Sequence, residues 1–403
     1  MIMKFKYLFS LLLATFVGLS VSAADDGVII PDSTGFKFTD VKVVKCTSVK
    51  DQNKSGTCWC FSANSFLENE LLRITGKEYD LSEMYIVRKC YEEKAKKFIR
   101  MNGQINFAEG GSFLDVPYVM SHFGAMPEEA YKGIEYGEEK HNHKELSKAL
   151  NAYLRAIVTV PNKKLSKSWF EGYLGILDAY FGKLPENFKF EGKNYTAKSF
   201  EQSLGLTLND YMAFTSFTHH PFYKPFALEV ADNWIWGTHE NVKLDELQKI
   251  VDNAIDNGYS VGWAADVSEK GFKWRKGYAV LPKAREEKDL DGTELSKWVQ
   301  VSDSERENMK YKIEGPCEEM KVTQELRQEM FDNQETTDDH GMVIVGSAVD
   351  QKGNKYYKVK NSWDTNQIYN GYFYVSMPYF LAKTLGIYVH RDAVPASILN
   401  KLK

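Results

Sequence analysis

The 403-residue sequence is short of the features that would place it outside ordinary globular proteins. Proline is scarce, at 11 residues, and the 28 glycines follow no repeat, so a collagen-like or low-complexity chain is excluded. Five cysteines, Cys46, Cys58, Cys60, Cys90 and Cys317, are too few and too scattered to hold a fold of this size by disulfides. No long basic run is present. The 51 Lys and Arg stand against 55 Asp and Glu, a formal net charge of -4, which argues against nucleic acid as a partner. Metal-ligand spacing is missing as well. Cys58-x-Cys60 is tighter than structural zinc pairs, His239-Glu240 has no His three residues on, and His219-His220 and His141-Asn142-His143 have no convincing carboxylate partners. Loop or surface histidines, no metal and no cofactor are the expectation.

What is present begins at the amino terminus. Lys4 and Lys6 precede the apolar residues 8–19, and Val21-Ser22-Ala23 offers small residues before a cut, the pattern of a secretory signal peptide over residues 1–23. The apolar stretch is shorter than the roughly 20 residues a membrane span needs, and no second run of that kind follows. The expectation is a chain exported to a periplasm or the extracellular space, with no membrane association after signal cleavage. An odd number of cysteines in an exported chain leaves at least one thiol unpaired in the monomer, a reason to look for a reactive one. The pairing of Cys46, Cys60, Cys90 and Cys317 stays open.

From Cys58 onward, Phe61, Ala63, Phe66, Leu67, Leu71 and Leu72 follow a helical pattern that ends at Gly76. A nucleophile at Cys58 would sit at the helix N-terminus, where unpaired backbone N–H groups favour a thiolate. Residues 112–260 read as mainly helical, with candidate helices at 112–123, 143–157, 169–181, 200–212 and 244–257. Residues 285–310 read as a charge-rich, solvated excursion. The C-terminal part changes period: residues 342–346, 356–361 and 371–375 are short apolar and aromatic runs bounded by Gly and Asn, as in an antiparallel sheet. Helix first and sheet last implies an α+β fold of two subdomains with a cleft between them.

A cysteine nucleophile needs an imidazole to take its proton, a group to orient that imidazole, and donors for the developing oxyanion. Cys58, His340, Asn361 and Gln52 can fill these roles. Residues 51–63 run Asp-Gln-Asn-Lys-Ser-Gly-Thr-Cys-Trp-Cys-Phe-Ser-Ala. Further on come Leu81-Ser82-Glu83, Glu109-Gly110-Gly111, Asp339-His340-Gly341-Met342 and Lys360-Asn361-Ser362-Trp363. Together these segments resemble the papain-like cysteine peptidases, and more closely their aminopeptidase C/bleomycin hydrolase branch, whose long middle insert residues 258–267 also resemble.

The resemblance implies a papain-like two-subdomain fold, a helical half plus an antiparallel β-sheet half. Residues 24–403 would form one domain with a large, mainly helical insertion at about 130–330. Cys58 would attack a peptide carbonyl, His340 would act as base and then acid, Asn361 would hold the ring, and Gln52 with the Cys58 N–H would form the oxyanion hole. Gly110 and Gly111 would let a substrate backbone approach, Met342 would line the pocket beside the base, and Trp363 would shield the His–Asn bond. Two departures stand out: Cys60 where the family has another residue type, and Asp364 where it commonly has glycine, adding a carboxylate near the imidazole. The implied partners are peptides, cut as an aminopeptidase would cut them, and a homo-oligomer, hexameric in that branch. The branch's C-terminal tail enters the cleft, whereas residues 394–403 stop short with a basic end. Endopeptidase or oligopeptidase action with an open cleft is therefore the alternative. A noncatalytic peptide-binding protein would be favoured by loss of Cys58 or His340, and both are present.

Overall fold

A computed structural model describes residues 35–160, 164–286 and 313–403, with residues 288, 290, 292–298, 300–302, 305, 306 and 309–311 between the last two ranges. The signal peptide expected at residues 1–23 lies outside the described residues. No described helix is long and apolar enough to cross a membrane.

Helix α1 (Cys58–Thr75) begins at the expected residue and ends at Gly76, whose φ of 72° is the left-handed conformation in which glycine needs no strain. Its apolar residues are spread around the whole circumference, so it is a core helix and not a surface one. It is enclosed by α2 (Glu83–Arg100), α3 (Asp115–Phe123) and the sheet. Ser82 caps α2 by accepting the Tyr85 N–H. Helices α4 (Lys144–Val158) and α5 (Ser168–Phe181) pack beside α2, burying Leu146, Leu150 and Leu154 against Tyr173, Leu177 and Phe181.

The sheet half is larger than three C-terminal strands. Its members are β1 (Thr39–Val43), β4 (Tyr211–Thr215), β5 (Pro225–Ala227), β6 (Thr238–Asn241), β7 (Val261–Ala265), β8 (Phe272–Lys273), β9 (Tyr278–Ala279), β10 (His340–Val349), β11 (Lys355–Lys360), β12 (Tyr372–Ser376) and β13 (Thr384–His390), while β2 (Phe188–Phe190) and β3 (Lys193–Tyr195) form a separate hairpin. The order is β5-β6-β4-β13-β7-β10-β11-β12-β9-β8, with β1 paired to the second half of β10. Strand alternation divides the interior into two cores. Val343 and Val345 of β10 face α1, whereas Met342 and Ile344 face Leu247, Ile250 and Val251 of α7 (Leu244–Asp256).

One expected helix is not formed as read. Residues 200–212 split into α6 (Ala197–Ser203), a break at Gly205 with φ of 71°, and strand β4. Tyr-Met-Ala-Phe-Thr pairs with β13 through Phe214↔Ile387 and Tyr211↔His390, so tertiary pairing decides a run that local pattern leaves ambiguous. The middle of the chain therefore supplies strands to the main sheet as well as helices. Helix α8 (Gly292–Trp298) lies in the charge-rich stretch, and α9 (Gln324–Asp332), α10 (Met377–Lys383) and α11 (Ala396–Leu399) complete the molecule. Residues after β13 pack on α7, where Asn253 Nδ2 donates to Ala393 O at 2.8 Å and Lys401 pairs with Glu246 at 2.6 Å. All five cysteines are free thiols, and Cys60 is buried with its sulfur 3.4 Å from Glu83 O.

Candidate active site

The loop before α1 is fixed from below by charge. Lys50 Nζ reaches Glu68 of α1 at 2.8 Å, Asp80 at 2.8 Å and Glu83 of α2 at 2.7 Å. It is fixed from the side by the loop after β11: the Gln52 N–H donates to Ser362 O at 2.8 Å, and Ser362 Oγ donates to Gln52 Oε1 at 2.7 Å. Gln52 Nε2 donates to Ser55 O at 2.8 Å, which leaves its second N–H for the cleft it lines.

His340 is the first residue of β10, set opposite Ala265 of β7, and Asn361 directly follows β11. His340 Nε2–H donates to Asn361 Oδ1 at 2.7 Å, so Nδ1 carries the lone pair. The Trp363 ring covers the imidazole at 4.4 Å between centroids, with Trp274 behind it at 5.5 Å. Cys58 opens α1 and receives the backbone N–H groups of Gly341 and Trp59 at its sulfur. Burial pushes the Cys58 thiol up to about 12, the Gly341 N–H opposing it and Asp338 adding to it. Burial also pulls the His340 imidazole down to about 4, against the Asn361 bond. The resting pair is a thiol and a neutral imidazole, a donor and a base within one water-poor cleft.

That cleft encloses about 390 Å³. Its lining is apolar at Phe113, Leu228, Val230, Ala264, Leu385 and Ile387, and it also carries Asp232 and Asp338. Asn106 Nδ2 donates to Asp232 at 3.2 Å, while Asp338 makes no hydrogen bond or ion pair among the described residues. Burial, then the charge of Asp232, pushes the Asp338 carboxyl up to about 7.

The structure thus brings Cys58, His340, Asn361 and Gln52 together, the first, second and fourth on the cleft surface and Asn361 behind His340. Gly110, Gly111 and Trp363 also line the cleft. A Cβ on Gly110 would stand 1.8 Å from Asp232 Oδ2, and one on Gly111 would stand 2.5 Å from Asp115 Oδ2 and 2.9 Å from Trp59, so glycine is required there by crowding alone. Met342 does not line the cleft. It is 1% exposed in the α7-side core, because two residues along a strand carry it about 7 Å below His340. Gly341 takes the position beside the base. Asp364 is likewise not a partner of the imidazole: it adopts φ of 69° and turns outward to Lys140 at 3.7 Å. Sequence reasoning passed over Asp338, although it stands two residues before His340, and Asp232, which has no local signal. It also left Glu109 without a role, whose main-chain O accepts Trp59 Nε1 at 3.0 Å and whose Oε2 accepts the Gly56 N–H at 2.6 Å.

Residues 33–168 match the papain family cysteine protease model and residues 311–403 match the peptidase C1-like family. Aminopeptidase C of Lactobacillus delbrueckii subsp. lactis is 24% identical over 379 residues, spanning 83% of this chain and 77% of that relative. Aminopeptidase C of Listeria monocytogenes is 21% identical over 400 residues, spanning 89% and 83%. Among solved structures, pepW from Lactobacillus rhamnosis HN001 shares the fold at a TM-score of 0.67 and 18% identity, over 90% of this chain and 84% of that one.

Proposed function

From the premise that this chain is a papain-like cysteine peptidase related to the aminopeptidase C/bleomycin hydrolase enzymes, we propose that it removes residues from the amino ends of peptides through a Cys58 thioester. The observation that carries the chemistry is the 2.7 Å bond from His340 to Asn361, in a cleft where Cys58 opens a buried helix. In the first step Cys58 Sγ attacks the scissile carbonyl carbon as its proton passes to His340 Nδ1. The carbonyl oxygen becomes an oxyanion, met by the free Gln52 N–H and the Cys58 backbone N–H. Collapse breaks the C–N bond while His340 returns its proton to the leaving amine. Water then attacks the thioester with His340 as base, and the released acid frees the thiol. Asn361 keeps the proton on Nε2, and Trp363 keeps water from that bond.

The amino-end preference is supported by the activity named in the relatives and by the charge of the cleft. A substrate ammonium finds Asp232 and Asp338 near Cys58, and the apolar lining residues suit an apolar side chain. The test is product mapping by mass spectrometry on a mixed library of free and N-acetylated peptides, with wild type and Cys58→Ala under reducing conditions. Loss of single N-terminal residues, abolished by acetylation and by Cys58→Ala, is the expected result. Internal cuts in acetylated peptides would replace the proposal with an endopeptidase.

Export belongs to the same proposal and rests on the pattern of residues 1–23. Amino-terminal sequencing of exported protein is expected to begin at Ala24, and an intact Met1 in a cytoplasmic fraction would contradict it.

A further inference from the structure

Three metal-ligating side chains meet on a loop outside the catalytic centre. His219 and His220 follow β4, and Glu229 follows β5. The sequence expectation that this His pair lacks a carboxylate partner is overturned, because Asn241 of β6 holds the stretch before β5 through Phe217 O and His220 O while β5 pairs with the same strand. His219 Nε2 lies 2.9 Å from Glu229 Oε2 and His220 Nε2 lies 2.8 Å from Glu229 Oε1. All three ligand atoms fall within 4.8 Å of one another, so modest shifts of these partly exposed side chains reach the roughly 3.3 Å spacing around a tetrahedral zinc ion.

Both rings are held in place. His220 stacks on Phe226 at 4.2 Å, and His219 lies between Phe226 at 5.5 Å and Phe331 at 5.8 Å. His219 Nδ1 faces the side-chain amide of Gln328 in α9, 3.3 Å from Oε1 and 3.0 Å from Nε2. Gln328 is itself fixed, its Oε1 accepting the Thr218 N–H at 2.6 Å and its Nε2 donating to Asp332 at 2.8 Å. Gln328 Nε2–H donates to Nδ1 of His219, which places the ring proton on Nε2 facing Glu229, and an ion bound there takes the place of that proton. Such an outer contact is what sets the tautomer of a ligating histidine. Side-chain exposures of 28% for His219, 36% for His220 and 56% for Glu229 leave a route in from solvent.

We infer that His219, His220 and Glu229 bind one borderline divalent transition-metal ion, zinc by best fit, with water completing the shell. Two imidazole nitrogens and one carboxylate select zinc, cobalt, nickel or copper over magnesium or calcium. The ion clips the two ends of the loop together. Leu228 and Val230, on either side of Glu229, line the substrate cleft, so the clip steadies that wall and takes no part in hydrolysis.

Cobalt(II) is the probe, titrated into the full chain carrying Cys58→Ala, which removes the catalytic thiol as a rival ligand. The expected result is a visible absorption band saturating at one equivalent, without a near-ultraviolet thiolate band, displaced by zinc and accompanied by a zinc-dependent rise in Tm. His220→Ala and Glu229→Gln, both at partly exposed side chains, should each weaken binding at least about tenfold. No band below millimolar cobalt, a thiolate band, or a band unchanged by both substitutions would overturn the inference.

Discussion

His340 is buried beneath Trp363 with no carboxylate against it, since Asp364 turns away to Lys140. Its pKa therefore lies below the ordinary value, at about 4, and the sign of the consequence is definite. The working base is the neutral ring, and a depressed pKa keeps the ring neutral as pH falls, down to about 4. The acid limb of kcat/KM for a free-amine peptide, measured in Asp338→Asn so that this carboxyl's own titration does not enter, is expected there. A limb near the unperturbed value of about 6.5 would contradict it. Asp338 carries the opposite shift. Its carboxyl is held up to about 7, so its negative charge grows as pH rises through that value. KM for free-amine peptides should fall through the same range and the effect should vanish in Asp338→Asn; an unchanged KM profile in that variant would exclude Asp338 as the ammonium partner. Residues like Cys58, His340, Asn361 and Gln52 were legible because each sits in a short motif beside the element that carries it. Asp232 was not, because only the fold brings it to the Gly110 backbone.

Elements were legible where pattern and packing agree. The α1 stretch is apolar all round and ends in glycine, and β10, β11 and β12 are rich in β-branched and aromatic residues. Residues 200–212 failed because their apolar spacing fits either period, and the choice falls to β13, far along the chain. Met342 failed for a related reason, adjacency in sequence to the base being no guide to depth along a strand. Between α1 and α2 the charge of Lys50 holds together carboxylates that are almost wholly enclosed, Glu68 at 0% and Glu83 at 4% side-chain exposure. Removing the cation leaves these enclosed acids without their paired charge, Glu68 keeping only the Leu81 N–H and the Thr47 hydroxyl. Lys50→Ala is expected to lower unfolding free energy by about 3–5 kcal/mol in urea titrations, and a change below about 1 kcal/mol, the range of surface pairs, would mean that the network contributes little.

Across the whole molecule, the catalytic groups come from the two ends of the described chain and meet only because the sheet packs its α1-facing side against the helical half. The α7-facing side builds a second core, against which the last residues are laid. Motif order alone made the meeting of Cys58 with His340 readable. The loop that supplies both the apolar cleft wall and the His219–His220–Glu229 group was not readable, since its function depends on a reversal at β5 that leaves little trace in composition. The central claim is that one thiol among five free ones is the nucleophile and that His340 activates it. Its most direct measurement is peptide mapping by mass spectrometry after reaction with a peptidyl acyloxymethyl ketone bearing a free amino terminus, for wild type and His340→Ala. A single adduct on Cys58, formed at least about a hundredfold more slowly in His340→Ala, is the predicted result. Adducts on Cys46 or Cys317, or a Cys58 rate indifferent to His340, would contradict it.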